Sequence, residues 1–524
     1  MNRLFFFFLL TYFASSGCLL AQDEEDPYSD YSYLWKAKKK KRNQKPSVAA
    51  TDSLLLQPAD SSGLDSIPGY SFERDSTDLQ SEPKEKQERV PIADFRTPLM
   101  SQRQGGNFTG GFTYTTIGDE TFVGMVLSPE FAVGKVGVGL NVPLLYGSDS
   151  QTVRTEIFKG GVGPVRLIRS IRYGTQKREP AYVKVGQLDG TMIGFGGLVN
   201  NYSNTVSFEQ RKVGLHFDVN YKGYAGLEGM YSDFDFVSQN LLVIRPYVRP
   251  MAFTDIPVVS TLEFGATIVS DKDQTSSPAS DATNISYTFT DQGVNAFGLD
   301  VGMTVLRKSF IQIDLFANYS NLSVANDSLQ RAATVLIGDN NFSTGSGLSF
   351  GANFRLHFIA DVFITDIRLE RMSYKDHYLP QFFDVVYETD KDAKIFGLIT
   401  AGKKNGIYGS LTGHVLQKVQ LGGSLMIPDD VSETSPAVVR IHADMERFAD
   451  KFSFHGSYVK GNLADLGDVF KLDERSLAKL RFIYHINKFL AAGVDYYYAF
   501  TRVEGESYEV TKTVMPYFGV SIDF

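Results

Sequence analysis

From about residue 105 onward, apolar and polar residues alternate one by one along much of the chain. In one such stretch Leu215 and Phe217 alternate with His216 and Asp218. Successive side chains of an extended strand point to opposite faces, so this alternation predicts strands with one apolar and one polar face. The pattern recurs at 311–315, 354–358, 365–370 and 479–486. The chain beyond residue 104 is therefore predicted to be all-β.

Two architectures have such strands, the soluble sandwich and the membrane barrel. In a sandwich the apolar face packs inside, whereas in a transmembrane barrel it faces lipid and polar residues line the lumen. The number of consecutive hairpins favours a transmembrane antiparallel β-barrel of roughly 16–22 strands. The short pieces near 166–189 belong either to its wall or to a plug.

Connections between the predicted strands fall into two classes of length, as in outer-membrane barrels with short periplasmic turns and long outer loops. Short turns are predicted at 134–135, 220–223, 306–309, 358–361 and 486–489. Longer polar loops are predicted at 147–165, 190–203, 271–283, 321–344, 374–381, 428–436, 461–477 and 503–510. The two classes stay at opposite ends only if Phe382 to Glu388 is counted as a strand.

The last fourteen residues, T-K-T-V-M-P-Y-F-G-V-S-I-D-F, follow the same alternation and end on an aromatic residue. This ending resembles the terminal strand of Gram-negative outer-membrane β-barrel proteins. The resemblance implies recognition by the barrel-assembly machinery through Phe518, Val520, Ile522 and Phe524. The predicted barrel domain is therefore residues 105–524, in contact with outer-membrane lipids.

The first 21 residues have one cation, Arg3, and an apolar core from Leu4 to Phe13 that is too short to span a bilayer. They predict a secretory signal peptide. Cleavage after Ala21 leaves Gln22 first, which resembles exported proteins of the Bacteroidota. The alternative is a lipoprotein site at Cys18, the only cysteine of the chain, which also excludes an intramolecular disulfide.

Residues 22–104 differ in composition from the rest, being rich in Ser, Asp, Glu, Lys, Pro and Gln. Such a composition is typical of a disordered segment, here on the periplasmic side. The basic run Lys36 to Arg42 within it follows an aromatic cluster. It is either a solvated charge run or a tether to an anionic periplasmic partner or lipid.

The segment from Gly160 to Asn204 is the most distinctive part of the barrel sequence. It combines glycine-rich strings with Arg166, Arg169 and Arg172. If residues 160–170 formed a helical turn, Arg166 and Arg169 would share one face. Folded into the lumen, the segment would narrow it and present positive charge, which favours anions; otherwise the arginines pair with wall carboxylates. The polar strand faces supply the other predicted pore-lining residues: Lys212, Asp314, Arg355, Asp366, Arg368, Glu370 and Arg481.

Motifs for catalysis and metal binding are weak. Gly347-Leu348-Ser349-Phe350-Gly351 matches a hydrolase string, but it lies in a predicted strand with no helix after it. Asp376 and His377 are adjacent, and adjacent strand residues point to opposite faces. No metal, cofactor, nucleic-acid partner or enzymatic activity is predicted, and an outer-membrane hydrolase is only a third alternative.

The string from Ile171-Arg172-Tyr173-Gly174 to Asn200-Asn201-Tyr202-Ser203-Asn204 resembles an uncharacterised porin-like family of Bacteroidota outer-membrane barrels. This resemblance implies the fold and the Gram-negative outer membrane, and it implies no site residues. The leading hypothesis is a porin or channel that passes small polar solutes through a charged lumen. The alternative is a non-conducting barrel in envelope assembly, lipid export or protein export, with a periplasmic partner bound by residues 22–104.

Overall fold

The computed structural model describes residues 105–523, except for 118–119, 156–163, 175, 177–178, 206–211, 235–239, 273–292, 325–326, 340, 360–361, 389–390, 417, 432–436, 464–465, 473–475 and 503–507. The predicted signal peptide, the predicted disordered segment 22–104 and Phe524 lie outside the described residues. No helix among the described residues is long and apolar enough to cross a bilayer.

The described residues form one antiparallel sheet of 21 strands that closes on itself, because β1 pairs with β21. The strands are β1 Gly105–Ile117, β2 Glu120–Val133, β3 Val136–Leu140, β4 Val142–Gly147, β5 Ile168–Tyr173, β6 Ala181–Gly186, β7 Gly214–Tyr221, β8 Ala225–Tyr231, β9 Leu242–Val248, β10 Glu263–Asp271, β11 Val294–Arg307, β12 Ile311–Val324, β13 Ser346–Phe358, β14 Phe363–Tyr374, β15 Lys404–Val415, β16 Val419–Pro428, β17 Ala437–Phe448, β18 Phe452–Leu463, β19 Ser476–His485, β20 Leu490–Arg502 and β21 Tyr508–Asp523.

Strands β3 and β4 form one wall strand, interrupted at Asn141, because both pair with successive parts of β2. The 21 assigned strands therefore make a closed barrel of 21 − 1 = 20 wall strands. The prediction of an all-β antiparallel barrel within the stated range of strand numbers is confirmed. The short strands β5 and β6 belong to the wall, which settles that part of the 166–189 segment.

The two faces of the wall differ as the alternation predicted. Large apolar side chains such as Phe112, Ile268 and Leu480 are exposed on the outer face. The residues between them point into the lumen, and many of these are buried polar or charged groups, including Asp314 and Arg368. An apolar outer band around a polar interior is the arrangement of a membrane-spanning barrel.

The predicted short turns lie at one end of the barrel, here called the turn end, and the predicted long loops lie at the other, here called the outer end. The two length classes are not strictly separated, because the short β1–β2 connection lies at the outer end and the long connection 249–262 between β9 and β10 lies at the turn end. The requirement that Phe382 to Glu388 form a strand was wrong, since these residues lie in the long connection between β14 and β15. Two helices also occupy outer-end connections: α1 Asp327–Ile337 after β12, and α2 Lys391–Thr400 before β15.

The seam between β21 and β1 depends on glycine. A Cβ atom on Gly519 would stand 1.9 Å from the carbonyl oxygen of Gly110, so any larger residue would separate the two strands. On the outer face of β21, Phe518 and Val520 are exposed toward the lipid side as predicted. Their role as an assembly signal stays a prediction, as does that of Ile522 and Phe524.

Candidate functional site: two loop segments inside the lumen

The first segment that enters the lumen comprises residues 187–205, between β6 and β7, and is called the inner loop. Its two arms are held together by reciprocal backbone hydrogen bonds of 2.9 Å between Thr191 and Tyr202. Its tip turns at Gly194, whose φ of 57° lies in the left-handed region that favours glycine. A Cβ there would also stand 2.6 Å from Nε of Arg245, so the tip fits against the wall only without a side chain.

A buried charge cluster on the lumen wall receives this tip. The Arg245 guanidinium is fully buried and donates to Asp300 Oδ2 at 2.9 Å and to Glu263 Oε1 at 2.8 Å. Glu228 accepts a hydrogen bond from Arg245 at 3.3 Å and from the Gly194 backbone N–H at 3.2 Å. The wall strands β8 to β11 and the inner loop thus share one hydrogen-bonded network.

Arg368 fixes the tip on the other side. Its guanidinium donates to Glu370 Oε2 at 2.6 Å and to the carbonyl oxygen of Phe195. It also lies over the ring of Phe316, 4.4 Å from its centroid, and Phe195 stacks on the same ring at 5.6 Å. Arg368 and Glu370, predicted as pore-lining residues, therefore hold a loop in place within the lumen.

The second segment comprises residues 378–388, between β14 and β15, and is called the crossing segment. Tyr387 donates a hydrogen bond of 2.7 Å to Asp271 on β10, and Asp384 accepts one of 3.0 Å from Arg440 on β17. Val385 packs against Val459, Leu477 and Ala499 on β18, β19 and β20. Because β3 and β4 count as one strand, β10 and β20 are the ninth and nineteenth of 20 wall strands and face each other across the barrel. The crossing segment therefore spans the lumen.

The inner loop and the crossing segment together, called the plug, contact each other directly. Asn200 donates its backbone N–H to the carbonyl oxygen of Phe383 at 3.1 Å, and Phe383 returns one to Leu198 at 3.1 Å. An apolar core surrounds this contact and includes wall residues from β8 to β12 and from β14 and β15; its members include Leu198, Tyr202, Val243, Leu322, Met372, Phe382 and Tyr408. The plug thus packs against wall strands on opposite sides of the lumen.

Glu388 is the charged centre of the plug. Its carboxylate accepts hydrogen bonds from Lys212 Nζ at 2.7 Å and from the Tyr202 hydroxyl, and Lys391 Nζ lies 3.6 Å away. Burial opposes ionisation, but the ammonium groups of Lys391 and Lys212 hold the pKa of Glu388 below its ordinary value. Burial and the neighbouring Glu388 carboxylate raise the pKa of Tyr202 well above its usual range, so Tyr202 stays a donor. Lys212, predicted to line a pore, belongs to this centre.

Below the plug, toward the turn end, the predicted charged residues form ion pairs on the wall. Arg355 donates two hydrogen bonds, of 2.7 and 2.9 Å, to the carboxylate of Asp366, which also contacts His414 Nε2 at 3.0 Å. Arg481 makes the same two-bonded pair with Asp495, at 2.8 and 2.6 Å. Asp314 is buried and bonded by the side chain of Gln312 at 3.0 Å.

The condition for placing Arg166 and Arg169 on one helical face is not met, because residues 168–173 form a strand. Arg166 lies in the short 3₁₀ helix Pro164–Leu167, whereas Arg169 and Arg172 lie on β5. Arg169 pairs with Glu130 on β2, and Arg172 Nη1 donates to the carbonyl oxygen of Gly174 at 2.7 Å. The wall thus positions Arg169 and Arg172, and the interpretation of these residues as a constriction stays a prediction.

The geometry offers no activated nucleophile at the one short Ser–His contact described near the turn end. Ser453 Oγ lies 3.0 Å from His485 Nε2, but Arg447 Nη2 faces His485 Nδ1 at 3.4 Å and the Arg447 backbone N–H donates to Ser453 Oγ. An arginine at Nδ1 makes that nitrogen the acceptor, so Nε2 carries the proton and cannot take one from serine. Asp376 and His377 likewise bond to separate backbone groups, those of Lys403 and Leu398.

The described residues contain no group of three His, Cys, Asp or Glu side chains close enough to hold a metal ion. Sequence reasoning singled out the glycine-rich inner loop but missed the Arg245 and Glu388 networks. The residues that form each network lie far apart in the sequence, as Tyr202 and Glu388 do. Charged residues on the predicted lumen faces of β8 to β11 were the only available signal.

No protein-family model matches the chain, and no curated protein matches it. Among solved structures, the barrel is similar to OccAB4 of Acinetobacter baumannii, with 9% identity over 81% of this chain and 99% of that chain and a TM-score of 0.30. OccK5 (OpdH) of Pseudomonas aeruginosa has 11% identity over 80% and 98%, with a TM-score of 0.29. Wzi of Escherichia coli, an outer-membrane protein involved in group 1 capsule assembly and a carbohydrate-binding β-barrel, has 10% identity over 81% and 86%, with a TM-score of 0.31. These low scores carry no argument about function, and the fold assignment rests on the strand pairing of this chain.

Proposed function

We propose that this protein is a channel of the Gram-negative outer membrane for small polar solutes, closed in the described state by its own plug. The observation that carries the proposal is the contrast between the two ends of the lumen. The plug enters the lumen from the outer end, whereas the wall strands β17 to β19 present partly exposed charged side chains toward the turn end. A charged, solvent-accessible wall is what an aqueous pathway requires.

The exposed charged side chains lie on neighbouring strands in one sector of the wall, β17 to β19. His455 and Asp444 on β18 and β17 have 38% and 27% of their side chains exposed, and the Arg481 side chain on β19 is 25% exposed. Charged groups in a dry, filled interior would instead be fully buried, as Arg245 is. The lower lumen therefore supports a water-filled vestibule that the plug separates from the outside.

The polar contacts of the plug are compatible with reversible opening, whereas its apolar core adds to the cost of undocking. Glu388, Asp384 and the Phe195 carbonyl are held to the wall or to neighbouring loop residues by hydrogen bonds and ion pairs. Water replaces such partners when the plug moves, so the net cost of undocking is smaller than for a purely apolar core. Loop displacement on a fixed barrel is a common gating motion.

Positive charge on β5 and β6 supports a preference for anionic solutes. Arg172 and Lys184 are direct cross-strand neighbours, and both lie on the lumen side of a wall that also presents Arg169. Like charges directly opposite each other destabilise a strand pair. Glu130 pairs with Arg169 and Asp189 interacts with Lys184, so three cations face two carboxylates and leave a net positive charge that attracts anions at this level.

Recording of single-channel currents from the refolded full-length protein in a planar bilayer tests the proposal. The wild-type channel is expected to stay closed for most of the record and to open in discrete steps of uniform conductance. A permanently open pore would refute closure by the plug. Folded, heat-modifiable protein that never opens would refute the channel and favour the alternative.

The second candidate is a non-conducting barrel for envelope assembly or export. The observation that favours it is the crossing segment, which contacts walls on opposite sides of the lumen through Tyr387 and Val385. A partner bound by residues 22–104 and insertion by the barrel-assembly machinery through the terminal strand fit either candidate. The conductance record separates the two.

A further inference from the structure

A repeated pair of residue types marks the turn end of the barrel. Six of the described turns place an exposed lysine within three residues of an exposed large apolar side chain. The pairs, in chain order, are Lys135 with Val133, Lys222 with Tyr221, Lys308 with Phe310, Lys418 with Leu416, Lys451 with Phe448, and Lys488 with Phe489. Val133, Tyr221 and Phe448 are the last residues of their strands and extend the outer apolar face to the rim. Strand alternation does not require a lysine beside them, so the repeated pairing needs another explanation.

These turns are distributed around the rim rather than gathered in one patch. They follow strands β2, β7, β11, β15, β17 and β19, so they recur over most of the circumference. The apolar members are well exposed, with Val133, Tyr221 and Phe310 at 75%, 65% and 62%. A ring of this form fits a binding partner that surrounds the barrel in one plane. It does not fit the compact interface of a single bound protein.

The lysines of four pairs are free of acidic neighbours in their own turns. Lys135 pairs with Glu179 and Lys451 follows Asp450, but Lys222, Lys308, Lys418 and Lys488 form no ion pair with any described residue. In two turns the ammonium lies beside the apolar partner: Lys488 Nζ is 5.0 Å from the Phe489 ring centroid, and Lys222 Nζ is 5.4 Å from that of Tyr221. The rim thus combines apolar anchors with unneutralised positive charge.

We propose that this rim binds the headgroups of anionic phospholipids in the leaflet at the turn end. The aromatic and aliphatic side chains enter the boundary between acyl chains and headgroups, and each lysine reaches the phosphate layer beside its anchor. A lysine near an anionic leaflet contributes attraction that falls off within a Debye length. The rim therefore selects charge in the leaflet and fixes the depth of the barrel. This inference is independent of whether the lumen conducts.

Electron paramagnetic resonance of spin-labelled lipids around the reconstituted full-length protein tests this inference. The measured quantity is the association constant of phosphatidylglycerol at the barrel surface relative to phosphatidylcholine. The test variant carries K222Q, K308Q, K418Q and K488Q, and the matched control carries K272Q, K375Q, K403Q and K471Q at four exposed outer-end lysines. Both variants keep the same net charge as each other.

The wild type and the control variant are expected to prefer phosphatidylglycerol, on the order of fivefold at each turn site. The test variant is expected to lose that preference. The wild type in molar salt is expected to lose it as well, and this measurement tests the role of charge if the variant does not fold. An unchanged preference in the test variant, or an equal loss in the control, would overturn the proposal. A wild type that shows no preference for phosphatidylglycerol would overturn the proposal as well. The rim would then be interpreted as a binding surface for an acidic protein.

Discussion

The substitution Glu388→Gln isolates the charged centre of the plug. The amide keeps the size of the side chain and its hydrogen bond with Tyr202, but it removes the charge that faces Lys212 and Lys391. In the closed state the ammonium groups of Lys212 and Lys391 would then lie close together without the Glu388 carboxylate to neutralise them. In an open state water would solvate all of these groups, so the substitution acts mainly on the closed state.

The magnitude follows from the burial of the partners. Removing one member of a fully buried ion pair costs about 3–5 kcal/mol. Lys212 is 23% exposed and Lys391 keeps its contact with Asp271 at 2.9 Å, so the expected cost is smaller, about 2–3 kcal/mol. Since about 1.4 kcal/mol corresponds to a tenfold change in an equilibrium constant, the ratio of open to closed channels should rise roughly 30- to 150-fold.

The assay is the open probability of single channels at fixed voltage and salt, for the wild type, Glu388→Gln and the control Glu130→Gln. Glu130 also pairs with an arginine, Arg169, but its side chain is 51% exposed. A half-exposed pair contributes less than about 1 kcal/mol, so the control should change the ratio by less than fivefold. An open probability of Glu388→Gln within threefold of the wild type would refute the role of the charged centre, as would an equal effect of the control.

Three further predictions concern selectivity, the seam and pH. Charge reversal at Arg169 or Arg172 should shift the reversal potential toward cation selectivity, and an unchanged potential would remove these residues from the pathway. Gly519→Val should separate the seam from Gly110 at a cost of more than about 3 kcal/mol and abolish the heat-modifiable folded band on gels. Because the pKa of Glu388 is lowered in the closed state, its contribution is present above the ordinary glutamate range and is lost as pH falls through the lowered value. The wild type and Glu388→Gln should therefore differ by a constant factor above the ordinary glutamate range and converge as the pH falls through the lowered pKa of Glu388, and convergence at neutral pH would contradict this assignment.

The wall could be predicted from sequence because each strand carries its own evidence. Alternation places Phe518 and Val520 outside and Arg355 and Asp366 inside without knowledge of any other strand. Turn lengths add the orientation of each hairpin. Side-chain alternation and turn length both depend only on neighbouring residues. They can therefore be predicted without knowing how the strands pair.

The plug could not be predicted in the same way. Phe382 to Glu388 is apolar and aromatic enough to resemble a strand, but its partners are Asp271, Arg440 and Val459, which lie on strands far away in the sequence. Which lumenal charges meet a loop and which meet each other depends on barrel closure. Sequence periodicity holds no information on that closure, so Arg368 looked like a wall residue of a pore.

The most direct test of closure by the plug is a reversible lock between the inner loop and the wall. A Cβ on Gly197 would stand 3.0 Å from Asn318 Cβ on β12, so the pair G197C and N318C can form a disulfide after a shift of about half an ångström. In a Cys18→Ser background, the oxidised protein is expected to show no openings, and reduction should restore the wild-type record within the same bilayer. Openings of full conductance in the oxidised protein would contradict gating by the plug.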